Sequence, residues 1–157
     1  MTETAKYPER VTIVRNGTDG DFKSKLVAAR PYAKGEAISK IEGHQENVVK
    51  RWSSVQMGPE RHIELNSELV FMNHSCDPSA NIVVEKMEVV ATRDLKEGDE
   101  LTFFYPSTEW DMSQPFACWC GAKECIKQVS GAKDVPAEKL ANKFLNPHIQ
   151  KLLDARQ

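Results

Sequence analysis

The chain has 157 residues, of which 40% are hydrophobic and 28% charged, a composition that suits one soluble domain with a proper core. The net charge of -2 gives no electrostatic reason to expect contact with nucleic acid, and the short basic stretch Lys50–Arg51 is interpreted as a solvated surface. No run approaches the roughly 18 apolar residues of a membrane span, and the polar N-terminus carries no secretory core. We therefore expect an intracellular protein, nuclear or cytoplasmic, whose thiols stay reduced.

Short β-like runs dominate the first two thirds of the chain. They are bounded by Gly, Pro, Asn and Asp and spaced as a many-stranded antiparallel β fold requires. The predicted strands cover residues 11–14, 25–28, 37–41, 63–65, 80–84, 87–92 and 100–105. Gly35 and Gly98 stand just before two of these strands and predict turns in which glycine supplies a positive φ.

From about residue 136 the pattern becomes helical. The apolar residues that fall near helical spacing are Leu140, Phe144, Ile149, Leu152 and Leu153. Pro147 interrupts the pattern, which predicts two short helices or one break near Asn146. We expect the apolar stripe to pack on the β body, with binding of a partner as the alternative.

Three of the four cysteines lie close together, at Cys118, Cys120 and Cys125. A disulfide between the first two would be badly strained. Three thiolates in a glycine-containing turn suit tetrahedral Zn²⁺, and Cys76 supplies the fourth ligand if the fold brings it near. Such a closed site would be structural, because no position remains for water. The alternative is ordinary, unligated thiols.

Three motifs in order carry a family resemblance. Asn-His-Ser-Cys-Asp-Pro at 73–78 is followed by Gly-Asp-Glu-Leu-Thr-Phe-Phe-Tyr at 98–105 and by Cys-x-Cys-Gly-x3-Cys at 118–125. Together they resemble a SET domain with its post-SET segment, over about residues 22–125. The resemblance implies a mainly β fold of several short antiparallel strands and small sheets, with a zinc-bound post-SET segment and a C-terminal helix. It places a SET domain at 1–110, the post-SET segment at 111–132 and a helical tail at 133–157.

The same resemblance assigns roles to individual residues. Asn73 and His74 match the segment that holds S-adenosylmethionine, and Tyr105 matches the catalytic tyrosine beside the transferred methyl group. Cys76 joins the three post-SET cysteines around structural zinc. Trp119, between two zinc ligands, is a candidate to cover the adenine ring, with packing on the helix as the alternative. A sulfonium methyl needs a dry channel and an in-line nucleophile, and a tyrosine hydroxyl can serve there as donor and acceptor.

The chain departs from the family pattern at several positions. Lys23 and Lys25 replace the glycines of an early Gly-x-Gly that lies against the cofactor, so both are candidate cofactor-contacting residues able to reshape or block that end of the pocket. Phe104 replaces an acidic residue. Ser79 replaces an asparagine and Ile41 a tyrosine. The segment 45–60, which builds much of the peptide-binding wall in histone-type members, is short, and no cysteine-rich pre-SET precedes it.

The resemblance leaves three functions open. The first is an S-adenosylmethionine-dependent methyltransferase that acts on a lysine side chain of a protein. The second is a SET-like scaffold reused for a small molecule, as a natural-product methyltransferase or a cyclase. The third is a non-catalytic binding module. The expected partner is a protein lysine or a small molecule, with no direct nucleic-acid contact and no membrane.

Overall fold

The computed structural model describes residues 7–15, 24–112 and 114–156. In this part of the chain the protein is mainly β, with short strands, single 3-10 turns and two helices near the C-terminus. The strands are β1 (Val11–Val14), β2 (Lys25–Ala28), β3 (Ala37–Lys40), β4 (Ser54–Gln56), β5 (His62–Glu64), β6 (Asn73–His74), β7 (Ala80–Val83), β8 (Glu88–Ala91), β9 (Glu100–Phe103), β10 (Phe116–Ala117) and β11 (Gln128–Val129). The helices are α1 (Ala137–Leu140) and α2 (Pro147–Ala155).

One sheet positions the site, and its strand order is β1-β2-β9-β6. β2 lies antiparallel to both β1 and β9. β6 lies parallel to β9, with Asn73 opposite Thr102 and His74 opposite Phe103. This parallel pair departs from the antiparallel pattern that the strand spacing predicts. It brings the Asn-His motif alongside the strand that leads into Tyr105.

The remaining strands form smaller antiparallel sheets. β8 lies between β3 and β7, β4 pairs with β5, and β10 pairs with β11. Each of the seven predicted strands is confirmed to within two residues at either end. β4, β6, β10 and β11 were missed; the last three have two residues each, too few to show alternation. Gly35 and Gly98 have φ of 86° and 91°, as the predicted turns require.

The main apolar cluster, called here the first core, lies between the sheets and buries residues of β1 to β5 and β7 to β9. Leu26 and Leu101 face each other across β2 and β9, and each is 0% exposed. Full burial of a leucine side chain stabilises the fold by about 1.5–3 kcal/mol. The sheet that carries the site therefore rests on the best-buried part of the molecule.

A smaller cluster, the second core, joins the C-terminal part to the end of β9. Its buried members are Cys76, Phe104, Cys125, Ile126, Ala132, Val135, Leu140 and Ile149. The helical stripe thus packs mainly on the cysteine-containing segment rather than on the sheets.

Asn146, fully buried, anchors α2 to the β body. Its Nδ2 donates to the carbonyls of Ile82 (2.9 Å) and Ser107 (3.0 Å), and its Oδ1 accepts from the Val84 N–H (3.0 Å). Pro147 follows at the first helical position, where its missing N–H has no helical partner to lose. The predicted break near Asn146 is confirmed. Among the described residues no helix has the length and apolar character to cross a bilayer.

Candidate functional site

Two strands hold the Asn-His motif in place. Asn73 Nδ2 donates to the Ser24 carbonyl (2.7 Å), which ties β6 to the start of β2. The Ser75 N–H donates to the Phe103 carbonyl (3.0 Å) and extends the parallel pairing. The motif is therefore fixed on one side by the segment that precedes β2 and on the other by β9.

Ser79, where the family pattern has an asparagine, secures the chain just after the motif. It is 1% exposed, and its hydroxyl donates to the Glu100 carbonyl (2.8 Å) while accepting from the Thr102 N–H (3.0 Å). A buried polar group is tolerated when its hydrogen bonds are satisfied, and here both directions are used. The substitution keeps a link between the motif and β9.

Of the two lysines that replace the glycines, only Lys25 lies within the described residues. Lys25 is half-buried as the first residue of β2, opposite Val14. It follows Ser24, whose carbonyl is bonded to Asn73, so the structure brings this segment beside the Asn-His motif. Lys23 lies outside the described residues. Contact of either lysine with a cofactor stays a prediction.

His74 uses both ring nitrogens within the protein. Its Nδ1 accepts from the Tyr105 N–H (3.1 Å), and its Nε2 lies 3.3 Å from Cys76 Sγ. Burial and the nearby Lys143 ammonium lower the pKa of His74 to about 3. The ring is therefore neutral and joins the start of the Tyr105 turn to the first cysteine. Any contact of His74 with a cofactor would involve its backbone.

Tyr105 begins a 3-10 turn, Tyr105–Ser107, directly after β9. Its hydroxyl donates to the Met72 carbonyl (3.1 Å), and its ring makes an edge contact with Phe116 and a tilted contact with Phe103. Burial, reinforced by Glu109 and Glu100, raises the pKa of the phenol. Tyr105 is thus a neutral phenol whose ring lies against Phe103, Phe116 and also His74, at 5.3 Å.

A cavity of about 270 Å³ opens beside Tyr105. One wall is the segment 50–55, and the others come from the residues around Leu69 and Met72, from Phe103 and from residues 109–114. None of Lys25, Asn73 and His74 lines it. Tyr105 therefore stands between the Asn-His motif on one side and this cavity on the other.

Sequence reasoning missed Glu109, which lines the cavity one turn after Tyr105. Its Oε2 accepts from the Gln56 N–H (3.0 Å) and from the Thr108 hydroxyl (2.7 Å). Burial raises the pKa of this carboxyl to about 7, against the lowering effect of the two hydrogen bonds and of Lys50. A lone glutamate in a polar stretch carries no motif, so only its position in the fold reveals it.

Lys50 is not the solvated residue that the sequence suggested. Its ammonium donates to the Asp111 carbonyl (2.6 Å), lies 3.8 Å from the Asp111 carboxylate, and its side chain is 28% exposed. Lys133 also pairs with Asp111 (3.1 Å). Residues 50–55 of the short segment 45–60 thus form one wall of the cavity. Lys50 links this wall to Asp111 on another wall.

The fold brings the four cysteines together. Their sulfur atoms all lie within 4.8 Å of one another, with Cys76 and Cys118 3.8 Å apart. Four thiolates at about 2.3 Å around a tetrahedral Zn²⁺ are about 3.8 Å from one another, so the cluster fits this ion. Burial raises the pKa of the Cys76 thiol to about 11, and a bound cation would offset that cost by favouring the thiolate.

Burial shows where two substituted residues, Phe104 and Ile41, and the candidate adenine contact Trp119 lie. Phe104 is 2% exposed and belongs to the second core, with its ring 5.5 Å from that of His74. It does not line the cavity beside Tyr105. Ile41 is buried in the first core. Trp119 is 91% exposed, which excludes packing on the helix in this structure; its contact with an adenine ring stays a prediction.

Known proteins share both the sequence pattern and the fold. The family described as SET domain matches residues 23–106. Methyltransferase flvH of Aspergillus flavus is 42% identical over 153 residues, which cover 96% of this chain and 85% of that protein. A histone-lysine N-methyltransferase of Debaryomyces hansenii, H3 lysine-36 specific, is 38% identical over 77 residues, or 45% of this chain and 10% of its own length.

The fold is also found in a solved structure, that of KRYPTONITE in complex with mCHG DNA and SAH. It superposes on 76% of this chain and 28% of its own with a TM-score of 0.57, at 20% sequence identity. At that identity the likeness concerns the fold. With the family match, the near full-length relative and the placement of the Asn-His motif beside β9, the chain belongs to the SET domain family.

Proposed function

We propose that the protein is an S-adenosylmethionine-dependent methyltransferase that methylates an amine nitrogen, with a lysine side chain of a protein as the acceptor. SET domain relatives named as methyltransferases support the reaction class. The observation that carries the proposal is the position of Tyr105. Its N–H is bonded to His74 of the Asn-His motif, and its side chain lines the cavity.

In this proposal the cofactor lies on the Asn-His side of Tyr105. Asn73 and the backbone of His74 would hold it, with Lys25 and Lys23 near its methionine end and Trp119 near its adenine. The cofactor supplies the methyl group when bound. The residues of the chain bind and orient it, and the closely spaced rings of Phe103, Tyr105 and Phe116 exclude water from the reacting nitrogen.

Zinc would act by holding the C-terminal part against this side. Cys76 belongs to the loop just after the Asn-His motif, and the other three ligands would come from residues 118–125. A closed site of four thiolates supplies folding free energy rather than a reactive water. The division into a SET domain at 1–110, a post-SET segment at 111–132 and a tail at 133–157 is part of the same proposal.

A small amine is the second candidate acceptor, and two observations favour it. This chain covers 85% of methyltransferase flvH, whose name mentions no histone, but only 10% of the histone-lysine methyltransferase from Debaryomyces hansenii. The relative of similar length is thus not one named for a protein substrate. In addition, the cavity of about 270 Å³ is slightly smaller than the range of about 300–1,000 Å³ found for small-molecule sites, a size that suits a small acceptor. Both observations concern the acceptor and not the Asn-His side of Tyr105, where the cofactor would lie. The same methyl transfer past Tyr105 would therefore serve either acceptor.

Methyl transfer from labelled cofactor to fractionated extracts tests the proposal. We expect label in the protein fraction for a lysine acceptor and in the low-mass fraction for a small amine. Tyr105→Phe should reduce the transfer at least about tenfold, since the hydroxyl beside the reacting carbon is lost. Tyr7→Phe, which removes a hydroxyl that donates to Glu42 (3.1 Å) away from the cavity, is the matched control and should leave the transfer unchanged. Binding of cofactor without transfer to either fraction would instead support a non-catalytic module.

A further inference from the structure

Four charged residues line the cavity, and three of them have a partner of opposite charge. Asp111 pairs with Lys50 and Lys133, and Arg51 lies 3.8 Å from Glu64. Glu109 alone among these four forms no ion pair within the parts of the chain that the structure describes. The cavity therefore contains one carboxyl group whose charge is not balanced by a neighbouring cation in contact with it.

Glu109 is held firmly, but through one oxygen. The N–H of Gln56 and the hydroxyl of Thr108 both reach Oε2. Gln56 is itself fixed, since its Oε1 accepts from the Trp110 N–H (2.8 Å). For Oε1 of Glu109 the described residues provide no hydrogen bond. One oxygen thus sets the orientation of the carboxyl group, and the other is available to a molecule in the cavity.

The position of Glu109 relative to Tyr105 is set by the backbone. The Glu109 N–H donates to the Tyr105 carbonyl (3.0 Å), so the two residues lie one turn apart. Both side chains line the same cavity. A molecule in this cavity that places its reacting atom at Tyr105 therefore has Glu109 within the same lining.

We propose that the Glu109 carboxylate binds the protonated amine of the methyl acceptor and takes its proton. The inference rests on the proposed function and deepens it, because it names the residue that selects an amine. A partly buried carboxylate with a free oxygen is matched by an ammonium group, which can donate up to three hydrogen bonds. A neutral alcohol of the same size would leave the charge of Glu109 uncompensated.

The proton transfer is balanced within the cavity. One N–H bond of the ammonium breaks, an O–H bond forms on Glu109 Oε1, and the nitrogen keeps its electron pair. The neutral amine that results is the nucleophile that methyl transfer requires. The proton then passes from Glu109 to solvent, which restores the carboxylate.

The pKa of Glu109 suits this role. An alkylammonium has a pKa of about 10.4, about six units above an ordinary glutamate but only about three above a carboxyl that titrates near 7. A smaller difference makes the transfer less unfavourable. The titratable and charged groups that face Glu109 or the residues bonded to it are Lys50, Arg51, Asp111, Tyr105 and, at the Thr108 carbonyl, His148.

Binding of n-butylammonium and of 1-butanol to the full, zinc-loaded chain with S-adenosylhomocysteine tests the proposal by NMR titration. At about pH 8 we expect the wild type to bind the amine at least about tenfold more tightly than the alcohol, because Glu109 is then ionised. At about pH 5.5 the preference should shrink, since Glu109 is protonated while the amine stays charged. Glu109→Gln should abolish both the preference and its pH dependence.

Controls separate this result from a folding defect. Glu97→Gln, at an exposed turn, should keep the preference, and Glu109→Asp, which retains the charge on a shorter side chain, should keep part of it. An unchanged preference in Glu109→Gln of normal zinc content, or no preference in the wild type, would overturn the inference. Amine preference without methyl transfer to any acceptor would overturn the proposed function instead, and leave the amine site standing.

Discussion

Within the described residues the first core contains more than twice as many buried hydrophobic residues as the second, and the second includes two of the cysteines. Strand pairing and apolar burial hold the first core together. The C-terminal part that contains most of the second core has only short elements, the two-residue strands β10 and β11, α1 of four residues and α2 of nine, which are too short to be stable by themselves. A region with so little apolar surface needs another source of stability. Zinc bound to the cysteine cluster would supply it, so we expect the two regions to respond differently to the same perturbation.

Removal of metal from the cysteine cluster should have the largest effect. Apparent binding free energies for structural zinc are about 10–16 kcal/mol in zinc-finger peptides, a large part of the stability of so small a region. Chelation, or Cys76→Ser, should expose residues 116–156 to protease while residues 24–104 stay resistant. Zinc content by atomic absorption and limited proteolysis check this. Chelation of the Cys76→Ser variant is the control and should add nothing; an equally resistant C-terminal region after zinc loss would contradict the comparison.

Truncation of one buried residue in each core should show whether the two cores unfold separately. Leu26→Ala removes a fully buried leucine from the first core and should cost about 3 kcal/mol of global stability. Ile149→Ala, also at a fully buried site, should mainly increase proteolysis and hydrogen exchange in residues 116–156. Urea unfolding and hydrogen exchange distinguish the two outcomes. Val49→Ala, at a side chain 88% exposed, should change neither. Equal loss of global stability in both core variants would mean that the regions unfold as one.

Ionisation of Glu109 should make the stability of the protein depend on pH. Glu109 lies where the cavity wall meets the second core, because its carbonyl accepts from the N–H of Ala132; this contact is called here the junction. Folding raises the pKa of this carboxyl from 4.5 to about 7, so the folded state binds the proton more tightly. Stability is therefore fully present below pH 4.5 and is lost as the pH rises to about 7. Glu109→Gln should match the wild type near pH 4 and exceed it by at most about 3 kcal/mol near pH 8. Urea unfolding of both proteins at each pH measures the difference; a constant difference would refute the assignment.

Substitution of Gly131, which precedes Ala132 at this junction, should have the smallest effect on stability. A Cβ on Gly131 would lie 2.2 Å from the Trp110 carbonyl oxygen, so the backbone must move to admit it. Gly131→Ala should cost about 1–3 kcal/mol and loosen residues 116–156 first. Gly58→Ala is the matched control, because its Cβ would approach other atoms no closer than 3.4 Å. Thermal unfolding of the two variants compares them, and equal midpoints would show that the junction yields without cost.

The predictable part of the fold consisted of features with a local cause. Strands of four or more residues show alternating apolar residues, turns show glycine, and the break before α2 shows proline. The two-residue strand β6 has no such signal, and its parallel pairing with β9 depends on contacts between distant segments. For the same reason the position of Asn146 in the interior could not be foreseen, since its three partners lie in other parts of the chain.

In the candidate site, too, some residues could be recognised from the sequence and others only from the structure. The cysteine spacing indicated a metal cluster, and the motifs at 73–78 and 98–105 indicated the family, because spacing and residue type are enough to recognise them. Lys50, Glu109 and Asp111 belong to no motif, and only the structure places them around one cavity. Phe104 shows the converse: the substitution was visible in the sequence, but its direction was not, and it packs in the second core.

The sequence by itself therefore determined seven of the described strands, the glycine turns, the family and the spacing of the cysteines, since each depends on residue type at short or regular spacing. The tertiary structure alone decided that those cysteines meet within 4.8 Å and that Tyr105 joins the Asn-His motif to a cavity. It also places in that cavity a glutamate that forms no ion pair with any described residue. Burial and proximity depend on the whole chain, and they set which charges are balanced and which titrate.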